Sequence, residues 1–432
     1  MTLDNMTMQR FEQSLESEQS GLNYQEEIAN SQTRIDNIRG EREFEELNAK
    51  ERAGILELMN QIETLQQKQL MEKKDREQRW IREMFIDWAR DEVGKKDPET
   101  WIDKKIDFSD PFEPKAKDDY FRIPGSKSVK RVPMGLRGKI LAAINCDLDT
   151  FPVDCEFESI LVVGNGRITE IPNDLKKKRI DVSDTGVNSY PQSITCNELL
   201  MNGSTVDYIP TDKSTFRVKR LNLNKTSVTD IPQDADYEGL SLTFTDVEII
   251  PDNFSIKVLN LSKSKVKVIP PDLNCEELHL SGTDVEVIPH GFECDELTLS
   301  DSKVKVITPD IEINFLDLDE TDVRKIPDGL KCTSLSLDMT PVDTIPVGNT
   351  FIKDLFLSGS QVKKVPAGVR LDALRIGGCE IEEFSEDVKI GELWINEKII
   401  SDEIYGKILR LQKAGKIGEI ILDHDTYERT NA

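Results

Sequence analysis

The sequence predicts an α/β solenoid of stacked parallel strands preceded by a long helical arm. Prolines recur at Pro133, Pro152, Pro172, Pro191, Pro210, Pro232, Pro251, Pro270, Pro289, Pro309, Pro327, Pro346 and Pro366, at gaps of 18 to 22 residues and most often 19. Eleven and nine places before nearly every proline stands an apolar-x-apolar pair, such as Leu161/Val163, Ile180/Val182, Leu278/Leu280 or Leu355/Leu357, and a further apolar residue stands four places before it. Residues 1–95 contain no proline and are dominated by Glu, Gln, Arg, Lys, Leu and Met, which favour helix. An alternating pair is a short strand with one face inward. One such strand in each repeat makes a coil that buries its core only by stacking on its neighbours.

The arm, residues 1–95, carries Ile55, Leu58, Ile62 and Leu65 at the 3-4-3 spacing of a coiled-coil seam. Ile28, Ile35 and Ile38 give an earlier piece, and Ile81, Met84, Phe85 and Trp88 a wider stripe. A narrow seam on a polar helix needs a partner. The expectation is a coiled coil that self-associates or docks to an assembly; the alternatives are a charged helix folded back on its own domain and transient helicity in a disordered chain.

Residues 96–132 read as a linker and N-terminal cap, with Pro98, Pro111, Pro114 and Pro124 among Trp101, Phe108, Phe112, Tyr120 and Phe121. Those aromatics are too many for a free tether and are expected to cover the first coil. The solenoid occupies 133–398. After Pro366 the prolines stop, while Leu374/Ile376 and Leu393/Ile395 keep the strand spacing. Residues 399–432 close the array as a cap: a helix with Ser401 or Asp402 at its N-cap and Ile404, Ile408 and Leu411 on one face, then a last strand at Ile420 and Leu422.

The unit Cys275-Glu-Glu-Leu-His-Leu-Ser-Gly-Thr-Asp-Val285, followed by Glu-Val-Ile-Pro-His-Gly-Phe292, resembles the leucine-rich repeat family pattern LxxLxLxxNxL. The proline-containing return is similar to repeats of bacterial effector proteins, and the phrase Leu-x-Leu-Ser-Gly-Thr-x-Val-x-x-Ile-Pro to those of predicted bacterial and tailed-bacteriophage proteins. The resemblance covers about 290 residues. Where the family carries an asparagine that bonds the backbone of adjacent coils, this chain has Thr185, Ser204, Thr226, Thr245, Ser264, Thr283, Thr321, Thr340 and Ser360. Hydroxyls both donate and accept, so such a column can satisfy the turn. Cys146 and Cys379 share the column, and Cys155, Cys196, Cys275, Cys294 and Cys332 fall at other inward positions. They read as small buried core residues and place synthesis in a reducing, cytoplasmic compartment.

No phosphate loop, HExxH, GxSxG or spaced Cys/His cluster is present, and the histidines are His279, His290 and His424 alone. Asp317-Leu-Asp-Glu-Thr-Asp322 resembles half a calcium loop but lacks its glycine and distal glutamate. The effector relatives that act as ubiquitin ligases carry a further catalytic domain after the repeats, for which about 30 residues leave no room. The expectation is therefore no enzyme activity, no cofactor and no metal site. A formal charge of −25 disfavours nucleic acid over the surface as a whole, and Lys127, Lys130, Arg131, Arg137 and the Lys176–Arg179 run read as solvated charge. No stretch approaches the length of an apolar membrane span.

The residue between each inward pair points out from the sheet: Val162, Asp181, Leu200, Asn222, Ser241, Asn260, His279, Thr298, Asp317, Ser336, Phe356, Arg375 and Trp394. The position before the pair adds Arg179, Arg220, Glu277, Glu296, Phe315, Asp354 and Glu392. Aromatics ringed by charge mark an interface, against the plainer reading of a scaffold surface. The candidate partner-binding set is Glu277, Glu296, Phe315, Asp317, Phe356, Arg375 and Trp394. The functional expectation is a non-enzymatic protein-interaction scaffold, either a bacteriophage virion component with a helical anchor and displayed solenoid, or a bacterial effector or intracellular regulator that captures a host or cellular protein.

Overall fold

The computed structural model describes residues 24–110 and 113–422. Phe112, Pro111, His424 and the outer ends of the arm and of the C-terminal cap lie outside the described residues. The chain divides into two compact units, one formed by residues up to 141 with 152–157, the other by 142–151 and the chain from 158 onward.

In the first unit, α1 (Tyr24–Arg39) and α2 (Ala49–Asp91) run antiparallel, tied by Tyr24 Oη donating to Glu72 at 2.5 Å and Gln25 to Gln69 at 3.1 Å. Gly40, at φ 58°, ends α1 in the left-handed conformation that glycine adopts without strain. Asn48 starts α2, its side chain accepting from the Lys50 and Glu51 amides while Glu51 reaches back to the Asn48 amide at 3.0 Å. Ile35, Leu47, Ile55 and Leu58 are buried together, with Ile38, Phe44 and Ile62 packed on them. The seam thus folds against its own chain, the alternative that the spacing left open, because α1 supplies the matching isoleucines. The wider stripe meets the aromatic segment. Phe85 lies 5.5 Å from Phe108, Trp88 6.1 Å from Trp101, and Phe121 6.4 Å from both Trp101 and Phe157. The Trp88 indole donates to the Arg131 carbonyl at 3.0 Å, and Glu92 pairs with Arg131. Short helix α3 (Pro98–Lys105), capped by Asp97, sits between these aromatics in sequence.

The second unit is a solenoid with leucine-rich repeats. Its strands, among them Leu175–Asp181, Ile194–Leu200, Phe216–Asn222, Gly239–Ser241, Val258–Asn260, Glu277–His279, Glu293–Thr298, Glu312–Asp317, Lys331–Ser336, Asp354–Phe356, Val369–Arg375 and Val388–Ile395, pair in parallel with like positions in register. From Ile180/Val182 to Leu393/Ile395 the inward pairs are at most 2% exposed, as are most members of the valine column four places before the prolines. Helix α4 (Asp402–Lys413) starts at Ser401, whose hydroxyl accepts from the Ile404 amide, and buries Ile404, Ile408 and Leu411. The closing strand Ile417–Leu422 then pairs with Val388–Ile395.

The coil that ends at Pro172 departs from the sequence reading. Ile160 and Val162 are the buried pair and Leu161 lies outward, paired in register with Asp181. Val162 is therefore core, and Leu161/Val163 is not the inward pair. The unit between Pro152 and Pro172 has 20 residues, and its extra residue lies between strand and proline, so counting back from the proline lands one place late. The same coil supplies the asparagine missing elsewhere. Asn165 is fully buried; its amide donates to the carbonyls of Ala143 and Val162, both at 2.7 Å, and its oxygen accepts from the Leu148 amide at 3.3 Å. In later coils Thr185, Thr226, Thr245, Thr283, Thr321 and Thr340 each donate at 2.6 Å to the carbonyl three residues earlier, within their own turn. These threonines close turns rather than bridging coils, whereas the Ser360 hydroxyl meets the Cys379 thiol of the next coil at 3.4 Å.

Candidate binding face

Outward side chains of the sheet fall into two adjacent rows. One runs His279, Thr298, Asp317, Ser336, Phe356, Arg375 and Trp394, and the other Glu277, Glu296, Phe315, Ser334, Asp354, Ala373 and Glu392. The seven candidate residues are all half-buried and fall into two groups. Glu277, Glu296 and Phe315 are register neighbours, with Asp317 two places on from Phe315; Phe356, Arg375 and Trp394 stand on three successive strands. The coil bearing Ser334 and Ser336 separates the groups.

In the second group the Arg375 guanidinium lies 5.5 Å from the Trp394 ring centroid, a cation–π contact. Asp354, Asp372 and Glu392 form an acidic rim beside Arg375, and burial first, then Asp372 and Glu392, raise the Asp354 carboxyl. In the first group, Glu277 and Glu296 flank His279, whose two ring nitrogens lie 3.8 Å from one carboxylate each. His279 is thus set between acids.

A polar ladder that sequence reasoning missed runs two places beyond the first row. Asn224 accepts from the Ser241 hydroxyl and the Thr243 amide, both at 2.7 Å. Asp319 repeats this with the Ser336 hydroxyl at 2.6 Å and the Asp338 amide at 2.7 Å, and Asp338 accepts from the Ser358 amide. Burial pushes the Asp319 carboxyl up to about 7; Asp317 and Asp338 add to this, and the bond from Ser336 opposes it. Of the calcium-like aspartates, Asp319 is thus joined to the backbone of the next coil, and Asp317 accepts from the Asp319 amide of its own coil at 3.0 Å. Among the described residues no group of three or more metal-ligating side chains converges.

A depression on this face lies elsewhere. Gly239 replaces a side chain in the second row and leaves a hollow of about 490 Å³ lined by Arg179, Glu198, Arg220, Asn260, Glu277 and His279. It shares only Glu277 with the candidate set. A glycine in a row otherwise filled by side chains is the sequence signal that marks it. Glu198 pairs with Arg179 at 3.5 Å and Arg220 at 3.4 Å, so the arginines of this half are already engaged.

All seven cysteines are free thiols, six buried and Cys294 half-buried, so Cys294 is less enclosed than its repeat position implies. Burial pushes Cys196, Cys275 and Cys332 up to about 12, which leaves them unreactive. No helix among the described residues is long and apolar enough to cross a membrane.

No family model and no curated protein matches the chain. Among solved structures it is similar to YopM from Yersinia enterocolitica WA-314, at 14% identity and a TM-score of 0.40 over 64% of this chain and 71% of that one. It is similar to YopM from Yersinia pestis, described as a leucine-rich effector protein, at 14% identity and 0.41 over 62% and 79%. The leucine-rich repeat domain of APL1B matches at 14% identity and 0.38 over 55% and 84%. Likenesses this distant assign no function, and the resemblance to bacteriophage repeats gains no support from them.

Proposed function

We propose that the chain is a non-enzymatic scaffold that binds a protein partner on the outward sheet face, anchored at Phe356, Arg375 and Trp394. The carrying observation is the stacked Arg375–Trp394 pair beside half-buried Phe356, on successive strands and with an acidic rim. Tryptophan and arginine on a rigid platform, partly desolvated before contact, are the residue types that dominate interface energies. Glu277, Glu296, Phe315 and Asp317 would supply a charged flank that selects the partner by sign. Buried thiols without disulfides support a reducing place of synthesis. An effector or regulator requires nothing beyond such capture. It is preferred to the virion placement, which rests on the repeat phrase alone.

A photo-crosslinking residue at half-buried Ser334, on the coil between the two groups, is expected to trap a protein partner. Phe356→Ala and Trp394→Ala should each lower the trapped yield by roughly tenfold or more. Equal trapping with and without these anchors would remove the face from the function.

A further inference from the structure

The return side of the solenoid carries a second, differently built surface. In four consecutive coils Ile249, Val268, Val287 and Val306 are 73%, 69%, 60% and 66% exposed, although the residue after each is buried. Val287 and Val306 bridge in parallel, so they occupy one row despite the longer unit that follows Val306. Core packing does not use these side chains, and four β-branched apolar residues in file are an uncommon solvent surface. The file ends in charge. One coil before Ile249 the position is Asp230, and one coil after Val306 it is Lys325.

The flanking columns alternate in sign. Immediately before the apolar residue stand Glu248, Lys267, Glu286 and Lys305, and two places earlier stand Asp246, Lys265, Asp284 and Lys303. Lys265 pairs with Asp246 at 2.9 Å and Lys303 with Asp284 at 2.7 Å, which accounts for the outer column within the chain. Glu248, Lys267, Glu286 and Lys305 are exposed; they alternate in sign from coil to coil, and within the chain Glu248 acts on Lys265, Lys267 on Asp284 and Glu286 on Lys303. Stacking between coils does not explain the opposite ends, because Asp230 and Lys325 are five coils apart.

Reversal of the file pairs these charges across two copies as well. Turned end for end about a point between Val268 and Val287, Asp230 meets Lys325, Glu248 meets Lys305, Lys267 meets Glu286, Asp246 meets Lys303 and Lys265 meets Asp284. Ile249 then meets Val306, and Val268 meets Val287. Every pair of two charges so formed is opposite in sign and the two central pairs are apolar, while at the ends Arg324 and Asp322 meet Thr229 and Ser227. In-register parallel stacking would instead set like on like. A surface complementary to its own reversal is what a two-fold, isologous contact requires.

We propose that this face pairs with a second copy of the same chain, antiparallel, about a two-fold axis between the coils of Val268 and Val287. Six rows spaced by about 4.8 Å give a contact only about 24 Å long, below the span of a standard interface, so the dimer is expected to be weak and to form at micromolar concentrations.

Sedimentation equilibrium of the full chain from about 1 to 500 µM tests this, together with two single variants. Lys267→Glu places glutamate against Glu286 twice across the axis, and Glu286→Lys places lysine against Lys267 twice. Each variant alone should dissociate about tenfold or more readily than the wild type. An equimolar mixture of the two restores both pairs, so it should regain the wild-type mass distribution. Both positions are exposed, and circular dichroism checks that each variant folds despite the altered intrachain charge beside Asp284 and Lys303. A wild type that stays monomeric throughout overturns the proposal. So does an oligomer indifferent to the single reversals, which would place self-association elsewhere, or a mixture no more associated than its components.

Discussion

The two units solve the same burial problem with different vocabularies. The first is closed by Phe85, Trp88, Trp101, Phe108, Phe121 and Phe157, each in its own environment. The second is closed by columns of leucine, isoleucine and valine in which each residue's environment recurs one coil away. In the solenoid a neighbouring coil shows what a position tolerates, and in the aromatic unit no such internal reference exists. Substitutions read against neighbouring coils should therefore be predictable in one unit and singular in the other.

The largest effect tests that contrast directly. Phe85→Ala removes a fully buried ring that touches Trp88 and Phe108 and should cost about 3–5 kcal/mol. Amide exchange should then lose protection across 81–123. Leu297→Ala, in a column of like residues, should cost about 2–5 kcal/mol and expose amides in the coils on both sides, since each strand bonds two neighbours. Loss of protection confined to the substituted coil would break the picture of coils held by stacking.

A smaller effect uses the solenoid as its own control. Asp319 occupies the position of Asn224, and each oxygen accepts from the hydroxyl and the amide of the next coil. The Asp319 carboxyl, raised to about 7 by burial first, binds more protons in the folded than in the unfolded chain between about pH 4 and 7. Stability therefore falls as pH rises through that window and stays lowered above it. Asp319→Asn keeps one acceptor oxygen and cannot ionise. It should raise stability at pH 8 by about 2 kcal/mol, allowing for partial solvation, and flatten the profile between pH 4 and 7. A variant less stable than the parent at pH 8 would mean that the two positions are not equivalent.

How much was legible follows the same division. The strand columns, the valine column and the α4 cap were readable because burial imposes a period on residue type, and type is what a sequence records. The exception at Val162 arose where the period slipped: a residue inserted after the strand moved Pro172 but not the core. Asn165 is hidden for that reason, standing one place off the hydroxyl column when positions are taken back from the proline. The hairpin of α1 on α2 was open because a 3-4-3 seam fits an intrachain and an interchain partner equally. On the outward face, the register pairing of Arg375 with Trp394 follows from the period. The hollow at Gly239 depends on a missing side chain, which apolar patterning passes over.

The smallest effect probes the backbone. Two residues after the second member of the inward pair, the chain turns left-handed in coil after coil. Gly203, Gly282 and Gly359 do so at φ 67–68°, and Asp184, Lys225, Phe244, Lys263, Asp301, Glu320 and Met339 do so at φ 55–59°. A side chain in this conformation costs about 1–2 kcal/mol, and glycine gives back about 0.5–1 kcal/mol of that through its freer unfolded state. Glu320→Gly should therefore stabilise by about 0.5–1 kcal/mol in denaturant titration, with an unchanged slope. Gly282→Ala should destabilise by a similar amount. The new methyl adds its left-handed penalty and displaces the Lys263 side chain, whose atoms lie within 2.5 Å of where that methyl would stand. If Glu320→Gly destabilises, the turn is held by the glutamate and not by the geometry of the stack. The column would then be a set of seven separate local solutions, as individual as the aromatics of the first unit.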